Sequence, residues 1–226
     1  TGTVDNLAAS TTSTLTVGGN NANSTFSGVL QNTGSSAVLA LAKTGTGTLI
    51  VNTANSFSGA TTISNGVIQV DNAGALSSGS VTFNTSGVRL VVGTGLNFTN
   101  AIIIGANNGA SGRGLMEAGT TAGTATISGP ITINNAAAAG GHFAAPTAGT
   151  VLNVTGVITS SVDVTARFGT VVFSGGGTGY TALINSQDTT AIGANNGLAT
   201  TATLTIAGSA AGSFDLAGFN QSLVGI

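Results

Sequence analysis

The chain has no cysteine and no tryptophan, and only two prolines, one tyrosine, one methionine and one histidine in 226 residues. Without cysteine, neither disulfides nor thiolate-held metals can brace the fold. Charge is equally scarce. Charged residues make up 4% of the chain, with a net charge of −2, where an ordinary globular domain carries about 25%. So small an imbalance steers no partner over long range, and the lack of a basic stripe excludes nucleic acid as a ligand. No juxtamembrane cluster of Lys or Arg is present. Apolar runs such as Ala101-Ile102-Ile103-Ile104 are far too short to span a bilayer. The chain starts at Thr1 with nothing like a signal peptide, so it reads as a mature or excised segment.

What the chain does have is Thr, Ser, Asn and 36 glycines. A surface hydrated by hydroxyls and amides lacks the charge repulsion that keeps proteins apart, so self-association is expected. Disorder is excluded, because β-branched runs are frequent and the prolines are only Pro130 and Pro146.

Short runs such as Thr14 to Val17, Thr48 to Val51, Thr61 to Ser64, Val67 to Val70, Ile131 to Ile133 and Thr170 to Phe173 recur along the chain. They alternate apolar residues with Thr, Ser or Asn and are bounded by Gly or Asn, the pattern of strands on a pleated, half-buried surface. No window shows a capped apolar period of 3.6. The best local helix candidate, Ala136 to Ala139, runs into Gly140-Gly141 and reads as a loop. The fold class is therefore all-β.

Two architectures fit. One is a β-sandwich or barrel with strands at about 8–12-residue spacing. The other is a parallel β-helix, or β-solenoid, whose coils each add short strands to a stack. Hairpin markers are sparse: Asn-Gly occurs at Asn65-Gly66, Asn108-Gly109 and Asn196-Gly197, and Asp-Gly is absent. Low charge also favours the stack, where like residues lie ~4.8 Å apart, like charges repel, and Thr or Asn ladders are stable. Internal echoes point the same way. Gly105 to Gly109 recurs as Gly193 to Gly197, and Gly47-Thr48-Leu49-Ile50-Val51 is echoed by Gly169-Thr170-Val171-Val172-Phe173. At roughly 20 residues per coil the chain would make ~11 coils, a rod ~50 Å long.

One stretch carries a family pattern. Lys43-Thr44-Gly45-Thr46-Gly47-Thr48-Leu49-Ile50-Val51-Asn52 is followed by Asn55-Ser56-Phe57-Ser58-Gly59-Ala60-Thr61-Thr62-Ile63. Asn65 to Val70 comes next, and then Gly74-Ala75-Leu76 and Gly79-Ser80-Val81. This resembles the autotransporter passenger-associated β-strand repeat. The best repeat covers residues 43–83, and a degenerate copy runs over 167–226, within a single domain of residues 1–226. The resemblance implies a right-handed parallel β-helix, secreted and displayed on a bacterial surface, with a stalk or scaffold role often tied to adhesion. It carries over no catalytic residue. The amphipathic strands of an autotransporter membrane barrel are absent from this sequence, so self-secretion by the chain is not expected.

No catalytic, cofactor-binding or metal residue is assigned, and the chain is not expected to be an enzyme. His142, the only histidine, sits in Gly140-Gly141-His142-Phe143, which reads as a loop with no Ser/His/Asp spacing around it. The six acids have no paired spacing, so a glycosidase pair would need distant residues brought together. His142 and Asp163 would be the residues to test in a polysaccharide-acting enzyme. The Ca²⁺ nonapeptide is missing, because Gly175 to Gly179 holds no Asp, and no Lys-Ser/Thr follows as a phosphate loop requires. Thr-x-Thr at Thr14, Thr124 and Thr201 keeps no strict coil period and reads as ordinary strand threonine. The sequons at Asn23, Asn84, Asn97, Asn153 and Asn220 read as chance in an Asn/Thr-rich chain. Two roles follow from this. One is an extracellular stalk or self-assembling fibre or sheath subunit of a bacterial surface, joined to itself head-to-tail or laterally through terminal strands. The other is an adhesin module that binds glycan or a host surface, although the scarcity of aromatics gives little sugar-stacking platform.

Overall fold

A computed structural model describes residues 2–85, 87–105, 116–134, 140–185, 188–206 and 212–226. The Ala136 to Ala139 loop and the Asn108-Gly109 pair lie outside the described residues. Every ladder between described strands is parallel, so the stack holds and the sandwich does not. A parallel ladder cannot be closed by a two-residue hairpin, which is the physical content of the sparse Asn-Gly signal.

The strands form three long faces: an eight-stranded sheet, a nine-stranded sheet and a six-stranded sheet. A further pair, Thr3–Asp5 with Val29–Gln31, makes a short sheet at the start of the chain. On the eight-stranded face, Leu41 pairs with Thr61 and Thr61 with Val81, each 20 residues on. Farther along, Ile102 pairs with Ile131, 29 residues on, and Ile131 with Ile158, 27 residues on. These longer coils correct the expected count. About eight coils stack instead of eleven, giving a rod of ~38 Å at ~4.8 Å per coil.

Inward positions build columns. Leu49, Ile68, Leu90, Met116 and Phe143 stack in register down the nine-stranded face, and all are buried. Phe98, Ile127, Val154, Phe173 and Ile192 do the same on the six-stranded face. Phe143 and Phe173 meet across the interior edge-to-face, with centroids 5.4 Å apart. Period-2 alternation is the cause: in Thr48–Val51 the burial runs half-buried, buried, half-buried, buried.

The echo of Gly47 to Val51 in Gly169 to Phe173 is local. Thr48–Val51 lies on the nine-stranded face, whereas Thr170–Phe173 lies on the six-stranded one. The same strand motif thus serves different walls. Threonine, by contrast, aligns better than its spacing suggests. The outward row of the eight-stranded face reads Thr16, Ala42, Thr62, Thr82, Ile103, Thr132, Thr159, Thr178.

Candidate functional site

The glycine-rich opening of the repeat is held by a lysine. Lys43 ends the strand Val38–Lys43 at an inward position and is 1% exposed. Its ammonium donates to the carbonyls of Thr44 at 2.6 Å, Gly45 at 2.8 Å and Asn65 at 3.3 Å. Three donors meet three backbone acceptors of two successive coils, which satisfies a cation that burial would otherwise penalise. Burial holds this ammonium below the usual lysine range. Lys43 is therefore structural: it ties the Gly45 turn to the coil that follows.

Asparagines tie the corners where the third side has no ladder. Asn55 accepts from the Leu30 amide at 2.7 Å and donates to the Ala75 carbonyl at 2.6 Å. Asn100, 3% exposed, donates to the carbonyls of Ser77 at 3.0 Å and Gly79 at 2.7 Å. Each side chain links coils that no strand joins there.

An ion pair lies on the outer surface of the nine-stranded face. Arg89 and Glu117, on adjacent strands, form an ion pair at 2.8 Å, with their side chains 24% and 4% exposed. Glu117 lies beside Val91 in the ladder, so Arg89 reaches it diagonally. Outward positions on a flat face should be open, yet Val91, Glu117, Ala144 and Thr165 are buried, so this surface is a trough. A cavity of about 470 Å³ over the pair is lined by Gln69, Thr48, Thr120, Pro146 and Phe168 among others. It shares Gln69 and Thr120 with a second cavity of about 240 Å³ that reaches Asp71. At its other end it shares Pro146, Thr147 and Phe168 with a third of about 460 Å³ that reaches Asp188.

His142 is not in a loop. It lies in the strand Gly141–Ala144, buried, opposite Thr165. A single histidine between two glycines and an apolar run looks loop-like in sequence; the neighbouring coils supply the ladder that makes it a strand. Asp163 precedes the strand Val164–Arg167 that pairs with the His142 strand, and it accepts a bond from the Thr181 hydroxyl at 3.3 Å. Among the described residues no group of three or more His, Cys, Asp or Glu side chains could hold a metal, and no helix is long and apolar enough to cross a membrane. The Arg89–Glu117 pair was missed in the sequence because its spacing is one long coil plus a diagonal step. The one available signal was the rarity of any charge at all.

The stacked parallel strands and coil-bridging corners define a β-solenoid. Within it, residues 41–70 match the family model of the passenger-associated-transport-repeat, a repeat of autotransporter passengers, which are surface-exported proteins. No curated protein and no solved structure matches the chain. The matched segment runs from the strand that carries Lys43 to the strand Val67–Val70.

Proposed function

We propose that this chain is an extracellular structural rod of the passenger type, without enzymatic activity, that joins copies of itself end to end. What supports this is the parallel stack of coils together with the passenger repeat at residues 41–70. The strands Thr12–Val17 and Ser24–Phe26 are the outermost of their sheets at one end, and Thr203–Ile206 and Ser213–Asp215 at the other. Thr203–Ile206 is partly covered on its outer side, where Thr203 bridges Gly225 in parallel and the Leu204 amide donates to the Gly225 carbonyl at 3.0 Å; where no further coil covers them, the other three edges are templates for a parallel strand. The later end is also apolar at its surface. Of the large hydrophobics exposed among the described residues, Ile206, Leu216, Phe219, Val224 and Ile226 all belong to it. At the opposite end Leu15, Val17 and Phe26 are only partly buried against the core. A second copy would set those side chains on the apolar end and continue the faces in the same strand direction.

A parallel edge meets a parallel edge only head-to-tail, and a heterologous contact of that kind does not close on itself unless it curves. A filament is the expected assembly. Sedimentation velocity across concentrations, with electron microscopy of the same samples, tests it. Growth into rods of one width supports the reading. Discrete particles of single-chain mass at every concentration rule out polymerisation, and growth that persists unchanged in an Ile206→Asp/Val224→Asp variant rules out the end-to-end contact proposed here.

A further inference from the structure

We propose that the trough that runs from the outer surface of the nine-stranded face onto its corner with the six-stranded face is a binding site for a neutral, linear glycan. The three cavities join through shared side chains into one path from Asp71 to Asp188, obliquely across the coils. Between the strand of Gln69 and the strand that precedes Asp188 lie five strand steps, about 24 Å at ~4.8 Å each. A long, solvent-open path suits an extended polymer better than a compact metabolite. The repeat of a linear pyranose chain is of the same order as the coil step, so successive sugars would meet successive coils.

The lining sets the chemistry. Threonine hydroxyls and Gln69 offer donors and acceptors of the kind that sugar hydroxyls pair with. Glu117 is 4% exposed and paired with Arg89, whose side chain is 24% exposed, so the buried carboxylate fixes the guanidinium, and the partly exposed guanidinium is the group that offers N–H donors to a sugar. Gln69 is oriented by its own bonds to Asp71 at 2.9 and 3.2 Å. Phe168 supplies an apolar ring where two cavities meet, held on a left-handed backbone (φ 50°). Pro146 and Val67 give further apolar wall for the carbon faces of a sugar ring. The charges that line the cavities are the Arg89 guanidinium and the carboxylates of Asp71, Glu117 and Asp188, and Arg167 stands beside Ala144 in the same outward row, which leaves an excess of one negative charge. That balance repels a polyanion and leaves a neutral chain as the fit.

The site lies on a side wall, away from both ends, so it stands or falls separately from end-to-end joining. Titration calorimetry of the whole chain against cello-, laminari-, malto- and chito-oligosaccharides of increasing length tests it, with oligogalacturonate as the acidic comparison. At least one neutral series should bind, with affinity rising with chain length until the path is filled. Thr120→Arg, at an exposed position shared by two cavities, should weaken that binding by about tenfold or more. Gln69→Ala should also weaken it, and Thr159→Arg, exposed on the eight-stranded face, should leave it unchanged. Matching melting temperatures show that all three variants are folded. Absence of binding by every neutral series at millimolar concentration, binding of oligogalacturonate alone, or equal binding by Thr120→Arg and the parent would each overturn the proposal.

Discussion

The coils around residues 41–83 and those around residues 97–160 solve the same stacking problem differently. In the first region successive strands on the eight-stranded face are 20 residues apart, and the third side is tied by side chains: Asn55 within it, and Asn100 reaching back from the next coil to Ser77 and Gly79. In the second, spacings rise to 27–29 residues and the third side becomes a sheet, in which Gly123–Ile127 pairs with Thr150–Val154 over five residues. A short coil turns its third corner without a strand, so its orphan backbone groups need side-chain partners. A long coil has chain enough for backbone to pair with backbone. The recognisable motif therefore sits where side chains must do the joining, and it fades where the ladder does so.

That contrast can be broken at the residues that hold each region. The largest effect is expected from Gly45→Ala. Gly45 has φ +65°, and an added side-chain carbon would run into the Gly18 carbonyl oxygen of the preceding coil, so a loss of about 3–4 kcal/mol is expected from strain plus clash. Urea denaturation measures it. Lys43→Met keeps the stem in the core column but leaves three carbonyls unanswered. A loss of about 2 kcal/mol is expected, with hydrogen exchange rising first around residues 44–66 and little in the later coils.

In the later coils, Tyr180→Phe removes the phenol oxygen that accepts from the Ala199 amide at 2.7 Å, at a cost of about 1–2 kcal/mol. Burial pushes the Tyr180 phenol up to about 12, while the Ala199 amide acts in the opposite direction. A raised pKa favours the neutral phenol in the folded chain. Its contribution is complete below the ordinary tyrosine value of about 10 and fades as pH rises toward about 12, worth roughly 2–3 kcal/mol across that window. The parent should show that alkaline loss in pH-resolved melts, and Tyr180→Phe should not. The smallest effect belongs to the outward threonine row, which touches neither kind of joint. Thr159→Val is exposed and should change stability by no more than about 0.5 kcal/mol.

Much of the fold is legible in the residues. Alternation in Thr48–Val51 and Val81–Phe83 places Leu49, Val51, Val81 and Phe83 inside, and sparse turn pairs weigh against hairpins. The coil count is not legible, because a stretch between strands does not reveal whether it is a loop or a third wall. His142 reads as a loop residue for the same reason: its strand exists only because the coils before and after supply its ladder. The trough is hidden more deeply. Arg89 and Glu117 are 28 residues apart, and only a register that varies from coil to coil determines that they meet.

By itself, the sequence determined that the chain would be built of short, uncharged, outward-hydroxylated strands, and it favoured a parallel stack over a sandwich. Period-2 patterning, glycine at the turns and the shortage of charge act locally, or between identical neighbours, and need no knowledge of the whole. The tertiary structure decided how many coils there are, which wall each strand joins and which distant side chains share a surface. Those depend on coil length summed along the chain. An extra residue in one coil changes nothing within its own strand, yet it alters which residues stand above one another on the next.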